Sequence, residues 1–201
     1  MAAAVDDRLA LPPAPAARRP NTLLVGTFLA IAAGTTFFGA LLGHYDAARE
    51  AADVWPPEGV SLPNVALLVT YATLLMSSVT AQWSVAAIRM GDRRQLYLAV
   101  GTTLLLGLAF VNGLSFCWSQ LGIEAGADPY ATTVWAVTGA HLVAVIVALV
   151  VFVIMGFRAL GGQLSPRNTE LVRSAAAYWH FVAIVGAVIW AVLWFLEGGP
   201  S

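Results

Sequence analysis

Long apolar runs separated by short polar stretches organise this chain. Five runs contain no Asp or Glu: Thr22–Gly43, Asn64–Met90, Leu96–Leu121, Thr132–Phe157 and Ser174–Leu196. The one arginine within them, Arg89, sits at an edge. A helix rising about 1.5 Å per residue needs some 20 apolar residues to cross a hydrocarbon layer of about 30 Å. The pattern therefore predicts an all-α integral membrane bundle of five transmembrane helices spanning about 22–43, 64–90, 96–121, 132–157 and 174–196. Residues 1–20, MAAAVDDRLALPPAPAARRP, read as a flexible Ala/Pro-rich tail ahead of one membrane domain, 21–201. Arg18-Arg19 before an apolar run resembles a twin-arginine export signal. The run is too long, and no small-residue cleavage site closes it, so the first helix is expected to be retained.

Composition removes the soluble alternative. Apolar residues make up 59% and charged residues 10%, against about 25% charged in soluble domains. The single cysteine, Cys117, permits no internal disulfide and no thiolate cluster. The net charge of -1 matters less than its distribution. Arg8, Arg18 and Arg19 precede the first span. Arg89, Arg93 and Arg94 lie between the second and third, and Arg158, Arg167 and Arg173 between the fourth and fifth. The other side has Arg49 with Asp46, Glu50, Asp53, Glu58, Glu124, Asp128 and Glu197. The positive-inside rule then places the N-terminus in the cytoplasm and the C-terminus outside, as an odd number of spans requires.

The longest ordered loop is expected at 44–63, where VWPPEGVSLPN carries Pro56, Pro57 and Pro63 to stop helix continuation. Trp55 suits the interface, where an amphipathic ring is most stable. Gly34, Gly39 and Gly43 have the small-residue spacing that lets a second helix approach closely.

Candidate chemistry is sparse. Transporters and pumps carry ionisable groups within the membrane, and no carboxylate lies inside any of these spans, which argues against a self-contained proton-coupled transporter. His44, His141 and His180 fall at three depths and cannot share one ion. His141 or His180 could supply one axial haem ligand, but each stands alone, and a packing role is the commoner one for such a residue. Thr80, Gln82, Asn112, Ser115, Ser119, Gln120 and Thr138 are expected to satisfy one another across helix contacts, at about 0.6–2 kcal/mol each. No phosphate loop, nucleophile triad or nucleic-acid surface is present, so nucleic acid is excluded as a partner. The arginines favour anionic headgroups. In AAYWHFVAIVGAVIW, Trp179, Ala183, Gly186 and Trp190 share one helical stripe, with a groove between two indoles. His180, on the adjoining face, reads as a packing and hydrogen-bonding residue near the inner headgroups.

The ordered set Trp55-Pro56-Pro57, SSVT within Leu75–Thr80, Thr138-Gly139-Ala140-His141 and Tyr178-Trp179-His180-Phe181-Val182 resembles subunit III of the haem–copper (cytochrome c) oxidases. The resemblance covers roughly residues 20–197 and is to the short five-helix bacterial form. It implies a non-catalytic, lipid-holding subunit of an aerobic terminal oxidase in the bacterial plasma membrane, with no cofactor and no active site of its own. Haem and copper would lie in partner subunits. Implied partners are subunit I as the main contact, subunit II, membrane phospholipids and a cytochrome bc complex. Trp55, Arg89, Arg93, Arg94, His141, Tyr178, Trp179 and His180 are then the lipid or helix-packing candidates. The chain departs from the family pattern at Gly34, Cys117 and Ala183, where buried acids are common, at Ala144 in place of a histidine, and at Gly186 in place of a tryptophan. Proton-relay roles of those acids cannot be carried over. An accessory subunit of a nitric oxide reductase, or an unrelated membrane transporter, remain the alternative readings.

Overall fold

The computed structural model describes residues 21–60 and 63–195. The expected tail 1–20, with Arg8, Arg18 and Arg19, lies outside the described residues, as do Leu196 and Glu197. Five helices follow in order: α1 Thr22–Glu50, α2 Asn64–Met90, α3 Arg93–Gln120, α4 Pro129–Leu160 and α5 Glu170–Phe195. All five are long and apolar enough to cross a membrane. The described residues form no β-strand beyond one isolated bridge, Ser165–Asn168.

α2 has the bounds its apolar run predicts, between Pro63 and a left-handed Gly91 at φ 73° that closes the helix. The other helices outrun their apolar windows, because backbone hydrogen bonding does not stop where the hydrocarbon does. α1 continues through His44 to Glu50, so the loop expected at 44–63 begins only at residue 51. The extra turns are held by Tyr45, which is fully buried. α3 starts on an Asp92 cap whose carboxylate accepts from the Gln95 backbone N–H at 3.0 Å and the Gln95 side-chain amide at 2.9 Å, so one residue donates twice to the N-cap side chain. That cap brings Arg93 and Arg94 into the first helical turn. α4 starts on Asp128, which accepts from Ala131 N–H at 2.7 Å, with Pro129 at its first position.

α2, α3, α4 and α5 form a closed four-helix ring in which each packs on the next, and α1 lies outside it in the groove between α4 and α5. α1 buries only Phe38 and Tyr45. Its close approach to α5 uses Gly34, where a Cβ would stand 2.7 Å from the Phe181 ring. Gly39 and Gly43 have nothing within 4 Å of that position, so the spacing expected to receive a helix faces outward in this chain. The N-termini of α1, α3 and α5 share one end of the bundle with the C-termini of α2 and α4. Arg89, Arg93, Arg94, Arg158, Arg167 and Arg173 gather at that end, hereafter the arginine end.

Candidate functional site

At the bundle centre, all five helices meet around His141 of α4. Its Nε2–H donates to the Val182 carbonyl of α5 at 2.8 Å; a carbonyl can only accept, so this bond assigns the tautomer. Phe38 of α1, Tyr71 of α2 and Phe110 of α3 surround the imidazole, with ring centroids at 6.1, 5.8 and 5.6 Å. Among the described residues, His141 Nδ1 and the Tyr71 hydroxyl have no hydrogen-bond partner. Gly186 supplies the space: a Cβ there would lie 2.9 Å from His141 Cε1 and 3.2 Å from Tyr71 Cδ1. The groove expected beside Trp179 and Trp190 thus exists, and the histidine fills it.

Trp179 joins the ring one level toward the arginine end. Fully buried, it donates from Nε1 to the Ser77 hydroxyl of α2 at 2.8 Å and packs on Phe152 of α4 at 4.8 Å. Gly107 of α3 leaves room for it, since a Cβ there would stand 2.7 Å from both the indole and Leu149. The mild polar residues do not satisfy one another as expected; Thr80, Gln82 and Thr138 pair across helices, but with residues outside that set, as Trp83 and Gln95 do with each other. Thr80 bonds Thr103 at 2.8 Å, Trp118 donates to Thr138 at 3.2 Å, and Trp83 donates to Gln95 at 3.0 Å. Ser115 and Ser119 instead return to carbonyls of their own helix. Trp55 lies at the end opposite the arginines, donating to the Tyr45 hydroxyl at 3.1 Å and meeting Tyr130 edge-on at 4.9 Å.

At the arginine end, α1 stands off its neighbours and leaves two grooves. The first, about 200 Å³, lies among α1, α2 and α5. Arg89, Arg173, His180 and Gln82 form its polar side, and Leu24, Phe28 and Val85 its apolar side. His180 Nε2 lies 3.2 Å from Gln82 Oε1, which holds the imidazole toward α2. The second groove, about 270 Å³, lies among α1, α4 and α5. Its walls are apolar apart from Thr27, Tyr178 and Ser174, whose buried hydroxyl has no partner among the described residues. Tyr178 also leans on Phe181 at 5.9 Å. Glu170, in the first turn of α5, sets how α1 straddles the two. Its carboxylate accepts from Leu23 N–H at 2.7 Å and Leu24 N–H at 3.2 Å. Those are first-turn amides with no partner in their own helix. Leu23 lines the second groove and Leu24 the first.

Sequence reasoning placed Arg89 and His180 among the candidates but missed Arg173, Ser174 and Glu170. Nothing local marks them: Glu170 bonds a helix remote in sequence, and Arg173 and Ser174 matter only through the grooves they line. Arg93 does not join Arg89; its guanidinium approaches Gly162 in the α4–α5 turn. Arg94 is exposed beside it in the first turn of α3. Outside the membrane segments, the Gln95 amide holds the Asp92 carboxyl below its usual range, with further help from Arg94. No group of three or more His, Cys, Asp or Glu side chains gathers among the described residues.

Known proteins similar to this chain point one way. The family model described as "Cytochrome c oxidase subunit III" matches residues 20–197. A probable cytochrome c oxidase subunit 3 of Nocardia farcinica is 32% identical over 183 residues, covering 89% of this chain and 90% of the relative. The cytochrome c oxidase subunit 3 of Corynebacterium diphtheriae is 29% identical over 190 residues, covering 90% and 92%. That of Strongylocentrotus purpuratus is 31% identical over 143 residues, covering 70% of this chain and 55% of a longer relative.

Proposed function

The chain belongs to the cytochrome c oxidase subunit III family, and we propose that it is the non-catalytic, lipid-holding subunit of an aerobic terminal oxidase. Members of this family carry no cofactor. We place the haems and copper in partner subunits, with subunit I the main contact, subunit II and a cytochrome bc complex further ones. The membrane is the bacterial plasma membrane, with the arginine end in the cytoplasm.

The observation that carries the lipid reading is the first groove. Arg89 and Arg173 come from different helices, and His180 completes a polar rim above Leu24, Phe28 and Val85. Guanidinium groups bond phosphate oxygens with charge-assisted, often bidentate geometry. A basic side chain near an anionic headgroup contributes about 1 kcal/mol. An anionic phospholipid satisfies both halves of the groove at once, phosphate on the arginines and acyl chain along α1. The carboxylate-free spans support the non-catalytic part of the reading, because nothing in them can relay protons between carboxylates.

The test is lipid analysis of the oxidase purified through a tag on this chain in mild detergent. An Arg89→Gln/Arg173→Gln variant should lose anionic phospholipid relative to the unsubstituted protein, at unchanged haem content. His180→Ala should lower retention of lipid or of the subunit, again with haem unchanged. Unchanged lipid in the double-arginine variant would contradict the lipid reading, and haem loss from an intact complex would contradict the non-catalytic one.

A further inference from the structure

We propose that the outward face of α3 around Asn112 docks a transmembrane helix of another oxidase subunit, with the Asn112 carboxamide hydrogen-bonded to a polar side chain there. The identity of that partner complex rests on the subunit III reading; the surface itself rests on α3.

Depth is the first argument. Asn112 lies six residues before Trp118, whose indole meets Trp135 at 4.7 Å. Trp118 stands two residues from the end of α3, where an indole suits the headgroup level, and six residues of helix place Asn112 about 9 Å further into the membrane. A short amide cannot reach back across that distance. Yet Asn112 is exposed and makes no hydrogen bond with any described residue. An amide facing hydrocarbon without a partner costs several kcal/mol.

The other exposed carboxamides are placed differently, Gln82 meeting His180 at 3.2 Å and Gln120 ending α3 beyond Trp118, and the exposed hydroxyls do not present this demand. Thr35, Thr36, Thr73, Ser115 and Ser119 each donate to a carbonyl of their own helix. A hydroxyl can turn back in that way, whereas a carboxamide brings two donors and an acceptor. The surroundings complete the argument. Leu105, Leu108 and Phe116, 69%, 58% and 55% exposed, flank Asn112 on α3. They form an apolar rim that would exclude water from a central polar contact. The outward face of α4 carries Val143, Val150, Val153 and Ile154 with no such group. The occupant of the α3 face is therefore a helix of complementary hydrogen-bonding chemistry rather than lipid.

The experiment introduces a photo-crosslinking residue at Asn112, and in a parallel protein at Val150, then irradiates native membranes and identifies adducts by mass spectrometry. The expected result is an adduct between position 112 and another oxidase polypeptide, with position 150 giving phospholipid adducts. Asn112→Leu should raise the fraction of this subunit washed from the oxidase by detergent about 3- to 30-fold, the equivalent of one interhelical hydrogen bond. Val150→Leu should leave it unchanged. Adducts at 112 with lipid alone, or with a second copy of this chain, would overturn the proposal, as would unaltered retention of Asn112→Leu. A failure of the subunit III reading looks different: the unsubstituted chain itself would purify without haem-bearing partners.

Discussion

Substituting alanine for Gly186 adds one carbon where α5 has no room for it. The new methyl would lie 2.9 Å from His141 Cε1, 3.1 Å from its Nε2 and 3.2 Å from Tyr71 Cδ1. Carbon atoms rest at about 3.5–4.0 Å, so the imidazole would have to retreat by roughly 0.6 Å. Phe38, Tyr71 and Phe110 box it in from three other helices. The retreat also stretches the 2.8 Å bond to Val182 toward the limit of a useful hydrogen bond. Overpacking costs about 1–3 kcal/mol and a weakened hydrogen bond about 0.5–1.5. The expected loss is roughly 2–4 kcal/mol, more than tenfold in the folded-to-unfolded ratio. Gly39→Ala is the matched control: nothing lies within 4 Å of its Cβ, and alanine is the better helix former by up to about 1 kcal/mol. Unfolding of the purified subunit by a denaturing detergent, followed by tryptophan fluorescence, reports both. Equal midpoints for the two variants would refute the claim that Gly186 exists to seat His141.

Three further outcomes follow from the same geometry. Gly107→Ala and Trp179→Phe should each destabilise by about 2–3 kcal/mol, yet the double variant should lose less than the sum, because the smaller ring relieves the indole contact and leaves only Leu149 to give way; strict additivity in the same unfolding assay would contradict the contact. Glu170→Ala should cost about 1 kcal/mol, as loss of a helix cap does, and speed hydrogen exchange at Leu23 and Leu24, while Glu170→Gln keeps an oxygen acceptor and most of the protection. The Asp92 cap, whose carboxyl the Gln95 amide holds below its usual range, contributes fully above the unfolded carboxylate pKa. That contribution fades as pH falls through the lowered value, so exchange at the Gln95 amide should accelerate in acid, and Asp92→Asn should flatten that dependence.

Which parts of the structure were legible follows from the range of the forces involved. Helix number and type were legible because hydrocarbon thickness writes itself into run length, and α2 ends where Pro63 and Gly91 say it must. The extension of α1 to Glu50 was not, since HYDAARE is compatible with helix or loop and is decided by Tyr45 packing near Trp55 and Tyr130. Glycine spacing showed that α1 could be approached closely, but only tertiary contact shows that Gly34 is used while Gly39 and Gly43 face outward. The histidine of YWHFV drew attention in the sequence, yet the bundle is organised around His141, because Gly186 and Val182 oppose it from another helix. Ala183, where the family resemblance led one to expect an acid, is buried in that packing. The Glu170 cap joins residues 147 apart in the chain, a distance no local pattern spans.

The central claim is that this chain is a cofactor-free subunit whose work is done beside haem-bearing partners. Its most direct test is the absorption spectrum and polypeptide content of the complex purified from native membranes through a tag on this chain, recorded before and after the subunit is stripped off with harsher detergent. Haem absorbance and haem-bearing polypeptides are expected in the intact preparation, with a separated chain that absorbs only in the ultraviolet. A separated chain that keeps haem, or an intact preparation that never contained it, would refute a cofactor-free role beside haem-bearing partners.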